Sequence, residues 1–308
     1  MKILQPVTKV LLTLLIVLVV AETLLRLVES HLSGNVAHIQ EIPELSAQYD
    51  QYSEPGILFL GNSLSNNAID APLFRSEMDA QGVVFSVIEK IVPDATTIWS
   101  WSCILRNRIF ELDNKPNTVF IGFAWNQLAD QSRLLPTRLG GFFCSNTDLM
   151  HLARQAKVSS AEIGEFLMAS TFRMFTHREI IRNKVLELLI PHYMTATQDI
   201  NRRQRNETAQ RNEHSMTYSE LEQIVSSIKS FDKDVVLLAF PIRDKSYELD
   251  TGLVTFAKDH NVSLLDYRNL DGITKESFLD EMHLSENGSA LLTRRLVEDF
   301  VKIRSTVQ

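Results

Sequence analysis

Five short apolar runs constrain the fold more than any other feature: Ile57–Leu60 (ILFL), Val83–Ile88 (VVFSVI), Thr118–Ala124 (TVFIGFA), Val235–Phe240 (VVLLAF) and Val262–Tyr267 (VSLLDY). None alternates strictly between apolar and polar residues, and helical patterns lie between most of them. Strands that read this way are buried on both faces, which predicts a parallel sheet with helices on either side. A chain of 308 residues, 44% of them hydrophobic, has enough apolar surface for a sizeable core of this kind. In such sheets the functional crevice lies just beyond the carboxyl ends of the strands.

The amino terminus carries a different signal. Lys2 and Lys9 precede an apolar run, Val10–Ala21, broken only by Thr13, and Glu22 and Arg26 end it. The run is shorter than the roughly 20 residues that span a bilayer, but approaches that length if Pro6, Val7 and the apolar side of ETLLRLV are drawn in. No Ala-x-Ala cleavage signal follows, so residues 1–29 are expected to be a retained signal anchor or transmembrane helix. Basic residues before it place the amino terminus in the cytoplasm and the rest of the chain outside, in the periplasm if the cell is Gram-negative.

Residues 30–55 show no sustained period and are read as a stalk, and the folded domain is expected over 56–308. The third and fourth apolar runs are too far apart for a simple crossover, which predicts a helical insertion at about 130–231. It contains two helical stretches, Ala161–Phe175 and Arg178–Ile190, and a polar loop, Gln198–Ser215.

A formal charge of −7 argues against a broad grip on nucleic acid. The two cysteines, Cys103 and Cys144, have no metal-ligand spacing and are read as core thiols, with pairing open in an oxidising compartment. No His-Glu-x-x-His and no glycine-rich phosphate loop occurs, so neither a metal nor a cofactor is expected.

The candidate chemistry comes from three separated stretches. Ser63 follows the first apolar run in LGNSLS; Asp280 and His283 stand three apart in DEMHLSENG; Asn126 follows the third run in GFAWNQ. A serine hydroxyl is a weak nucleophile unless a base lies within hydrogen-bond reach. An Asp close to a His can hold the imidazole Nδ1 proton and leave Nε2 free to act as that base. Asn126 and the Ser63 backbone N–H can donate to a developing oxyanion. Each residue also has a plainer reading: Ser63 as a helix cap, Asn126 closing a turn, and His283 as a surface histidine before a helix capped by Ser285.

In chain order, LGNSLS, GFAWNQ and DEMHLSENG resemble blocks of the SGNH or GDSL-like hydrolases, over Gly56 to about Val301. The resemblance implies a three-layer α/β/α, flavodoxin-like sandwich with a short parallel sheet. It also implies acyl transfer through an acyl-serine, with Ser63 as nucleophile, His283 as general base and then acid, Asp280 as its orienter, and Asn126 with Ser63 N–H as oxyanion hole. The chain departs from the family pattern at three points. Asn62 stands where Asp is usual, Gln127 replaces the Asp that usually follows the asparagine, and FSVIEKIVPDATTIW has no glycine to give the second-block oxyanion donor.

A membrane tether with a large insertion also resembles bacterial envelope proteins that add or remove acyl groups on surface polysaccharides. The expected partners are an acyl ester or acylated glycan, the membrane itself and a membrane acyltransferase. Two alternatives stay open: a lipase-like or thioesterase-like esterase, and a catalytically silent scaffold that binds a glycan or an acyltransferase.

Overall fold

The computed structural model describes residues 4–52, 56–193, 216–243 and 247–307. The polar loop Gln198–Ser215 lies outside the described residues. The chain divides into two compact units, one made of Met1–Ala37, Leu135–Leu149 and Val158–Ser215, the other of His38–Leu134, Met150–Lys157 and Met216–Gln308.

The second unit is built on five strands: β1 (Gly56–Leu60), β2 (Val87–Ile91), β3 (Thr118–Phe123), β4 (Asp234–Ala239) and β5 (Ser263–Asp266). They pair in the order β2-β1-β3-β4-β5, every pair parallel. This is the doubly wound order of flavodoxin-like folds. Each of the five strands overlaps one of the five apolar runs, though β2 shares only Val87 and Ile88 with its run and continues through Glu89 to Ile91. The second begins later than its run suggests, because Val84 is exposed while Phe85 turns into the core ahead of the strand.

Alternation along the strands divides the core between two faces. Ile57, Phe59 and Phe120 belong to the cluster that also holds Phe74 and Phe300. There Phe59 stacks on Phe120 at 4.9 Å and meets Phe74 edge-on at 5.1 Å. Contacts of this kind add about 0.5–1.5 kcal/mol each beyond their buried area.

The helices, in chain order, are α1 (Leu4–Val28), α2 (Gly34–Ala47), α3 (Ser63–Ala68), α4 (Ala71–Ala80), α5 (Ile98–Ile104), α6 (Asp148–Gln155), α7 (Ser160–Thr171), α8 (Arg173–Thr176), α9 (Arg178–Leu189), α10 (Ser219–Lys229), α11 (Thr251–Asp259) and α12 (Glu286–Val307). On the aromatic side α3 and α4 pack against α12, and α10 packs against α5 and β4. Helices thus cover both faces of the sheet.

Three expectations change. The stretch read as a stalk contains α2, whose Val36, Ile39 and Ile42 are buried at helical spacing, and Tyr49 donates to Ile57 O at 2.6 Å. Pro43 inside the helix hides that period in the sequence. The insertion is also narrower than 130–231: α10 returns to the sheet unit and buries Leu221, Ile224, Val225 and Ile228. Lastly, Cys103 and Cys144 are disulfide-bonded, so neither is a free core thiol.

In the first unit, α1 is apolar and long enough to cross a membrane, and its apolar window is wholly exposed. Its last turns meet the insertion. Glu22 accepts from the backbone N–H groups of Arg173 and Met174 at 2.7 and 3.0 Å, and the buried His177 pairs with Glu29 at 2.9 Å.

Candidate active site

At the end of β1 the backbone must turn sharply into α3. Gly61 N–H continues the ladder to Ile91 O at 3.2 Å. A Cβ on Gly61 would fall 1.9 Å from Ser65 Oγ, and one on Gly122 would fall 2.3 Å from the same atom. The two glycines let the first turn of α3 sit directly on the ends of β1 and β3.

Asn62 is the N-cap of α3, its side chain accepting from Leu64 N–H at 3.0 Å. The capping duty therefore falls on Asn62, and Ser63, the first helical residue, keeps its hydroxyl for another partner. That partner is His283, whose Nε2 lies 2.9 Å from Ser63 Oγ.

The His283 loop is a tight, self-contained turn. Leu279 N–H donates to His283 O at 2.8 Å, and Phe278 bridges Leu284 in antiparallel fashion. Inside the turn, Asp280 Oδ1 accepts from the N–H groups of Met282 and His283 at 2.7 and 2.9 Å, while Oδ2 lies 2.8 Å from His283 Nδ1. Partial burial alone would raise the Asp280 carboxyl, but the hydrogen bonds from the His283 ring and from these two backbone groups hold it below the usual carboxylate range. An ionised Asp280 fixes the Nδ1–H tautomer, so Nε2 faces Ser63 as an acceptor.

Asn126 stands in the loop after β3, half-buried, and makes no side-chain hydrogen bond among the described residues. The structure does not join it to Ser63, His283 or Asp280 by any hydrogen bond. Gln127 braces this loop: its Oε1 accepts from Ala124 N–H at 2.9 Å, and its carbonyl accepts from Ile98 N–H at 3.0 Å. Between them Trp125 adopts φ 51°, an uncommon conformation for a bulky residue, and keeps 37% of its surface exposed.

The loop after β2 holds no glycine, but Ala95 takes up φ 52°, the left-handed backbone that glycine adopts freely. The loop and the helix α5 that follows it are tied to the serine turn by three hydrogen bonds. The Thr96 hydroxyl and Trp101 Nε1 each donate to Gly61 O at 2.9 Å, and Asn62 Nδ2 donates to Thr96 O at 3.0 Å. Sequence reasoning missed Ala95, Thr96, Trp101 and Ser65. A proline followed by small polar residues after a strand is the only sign of this loop, and no spacing marks Trp101.

Fold and site together define a doubly wound α/β protein with a hydrogen-bonded Ser–His–Asp chain at the carboxyl edge of its sheet. No family model matches the chain, and no curated protein matches it significantly. Among solved structures it is similar to a lipase/acylhydrolase from Enterococcus faecalis, at 12% identity and TM-score 0.40, covering 80% of this chain and 94% of that one. It is also similar to AlinE4, an SGNH-hydrolase family esterase, at 10% identity and TM-score 0.35, covering 83% of this chain and 97% of that one.

Proposed function

We propose that the protein is a membrane-anchored, extracytoplasmic serine acyl-ester hydrolase or O-acyltransferase acting on an envelope glycan. The observation that carries the chemistry is the unbroken hydrogen-bond chain from Ser63 Oγ through His283 to Asp280. Ser63 Oγ attacks the ester carbonyl as His283 Nε2 takes its proton. The Oγ–C bond forms, the alcohol departs with that proton, and an acyl-serine remains. Water or a sugar hydroxyl, deprotonated by the same Nε2, then bonds to the acyl carbon, and the Oγ–C bond breaks as Ser63 Oγ takes that proton back from His283.

The negative oxygen of each tetrahedral intermediate is held by Ser63 N–H and the Asn126 carboxamide. Ala95, left-handed in the loop tied to the serine turn, is the residue proposed to supply the missing second-block N–H. Asp280 is the orienter throughout.

Location is supported by two features of the chain. Lys2 and Lys9 before an exposed apolar helix favour a cytoplasmic amino terminus. That both cysteines are disulfide-bonded suits an oxidising compartment. Trp125, exposed beside Asn126, offers a flat aromatic face to a sugar ring and supports the glycan reading.

The test is labelling of the full chain by a fluorophosphonate and turnover of short acyl nitrophenyl esters. Both are expected for the wild type and lost by at least about a thousandfold in Ser63→Ala and His283→Ala. Acyl transfer to an added glycan, weakened in Trp125→Ala while ester turnover stays, separates transferase from esterase. No labelling of Ser63 overturns the enzyme reading in favour of a silent scaffold.

A further inference from the structure

We infer that the elbow between α7 and α8 of the insertion is a second membrane contact, sunk into the outer leaflet beside α1. The inference rests on the reading that α1 crosses the bilayer. The argument is one of depth. Lys9 and Glu22 are only about 20 Å apart along a helix rising 1.5 Å per residue, while the hydrocarbon layer is about 30 Å thick. If Lys9 marks the cytoplasmic boundary, the far boundary falls near Val28. Glu22 and Arg26 then lie within the outer margin of the apolar layer.

Charges at that depth require partners, and the partners they have are in the insertion. Glu22 pairs with Arg26 at 2.8 Å and accepts from Arg173 and Met174 N–H, so its carboxylate closes the exposed amino end of α8. Arg26 Nη2 donates to Thr171 O at 3.0 Å, the last carbonyl of α7. One turn further along the chain, Glu29 holds His177 and Arg173. Whatever depth Glu22 and Arg26 occupy, residues 171–174 share it.

The side chains around that elbow suit lipid. Leu167, Met168, Phe172 and Met174 are 43%, 45%, 46% and 38% exposed, and the exposed hydroxyls between them, Ser170 and Thr171, both turn back to donate to Leu167 O. Leu24 and Leu27, at the same level of α1, are exposed as well. Lipid is favoured over a protein partner because the contact is set by the depth of α1 itself, which any bilayer imposes.

The experiment places p-benzoylphenylalanine at Leu18, Phe172, Leu167 or Ser160 of the full chain, reconstituted in vesicles of phosphatidylethanolamine and phosphatidylglycerol. Photolysis is followed by mass spectrometry of lipid adducts, and circular dichroism checks that each variant is folded. Adducts are expected at Leu18 and, at comparable yield, at Phe172 and Leu167. The yield at Ser160, about 16 Å away at the other end of α7, should be several-fold lower. Adducts at Leu18 with none at Phe172 or Leu167 overturn the second contact and leave the anchor standing. Adducts at none of the positions overturn the anchor and the second contact with it. In native membranes, crosslinking of Phe172 to a protein in place of lipid also overturns the proposal.

Discussion

Asn62 makes two hydrogen bonds at once, and only one of them is open to the aspartate that is usual before the serine in the resembling family. Its carbonyl oxygen caps α3, and its amide nitrogen donates to Thr96 O. A carboxylate can supply the first bond but would set a negative charge against a buried carbonyl in place of the second. Asn62→Asp is therefore expected to lower stability by about 1–3 kcal/mol, read from urea unfolding. It should slow ester turnover more than it weakens substrate binding, because the loop carrying Ala95 is released. A stable, fully active Asn62→Asp protein would contradict this role. The hydrogen-bonded chain of Ser63, His283 and Asp280 was legible from residue types, a serine ending the first apolar run and an Asp three residues before a His. Thr96 and Trp101 were not, since their part is to position backbone atoms, and many residues far apart in sequence can do that.

The tight seat of α3 is set by what two glycines lack. Ser65 Oγ occupies the space a Cβ would need at both Gly61 and Gly122. Gly61→Ala is expected to cost about 1–3 kcal/mol through overpacking. It should also cut turnover sharply, because α3 can relieve the clash only by lifting Ser63 away from His283. Ser65→Gly in the same chain should restore part of both, and a double-mutant cycle measures the coupling. β1, β3 and β4 were legible from apolar runs buried on both faces, whereas β2 continues through Glu89 and Lys90 and β5 is only partly buried, so their runs marked the place of each strand more than its extent. The helix α2 was not legible: its buried residues are spread through a polar sequence, and Pro43 reads as a breaker though it is held within the helix.

Across the sheet unit, one wholly buried carboxylate gathers elements that are distant in the chain. Glu220, at the start of α10, accepts from Ser102 of α5 and from Arg106 at 3.0 Å, and meets His151 of α6 at 2.7 Å. Its backbone N–H is held in turn by Asp130. Removing one partner from such a cluster leaves buried charge uncompensated, so Glu220→Ala is expected to cost about 3–5 kcal/mol, measured by thermal or urea unfolding. Replacement of Glu220 together with Arg106 and His151 by apolar residues should cost less than Glu220→Ala alone. This return of the chain to the sheet is why the insertion was overestimated at its far end. In sequence, α10 is an ordinary amphipathic helix after a polar tract, and only its contacts with α5 and β4 assign it to the sheet.

The Asp280–His283 turn has a further consequence, in the entropy of assembling the site. Both oxygens of Asp280 find their donors within the same few residues, so closing that loop is cheap. The link from His283 to Ser63 instead closes a separation of 220 residues. That larger cost is met by the sheet and its helices, whose packing brings the two ends together. The Asp280–His283 pair is thus a local motif that arrives finished, and the fold has a single gap to close. Slow drift in the framework should separate Ser63 from an intact His–Asp pair, leaving two matched halves out of register.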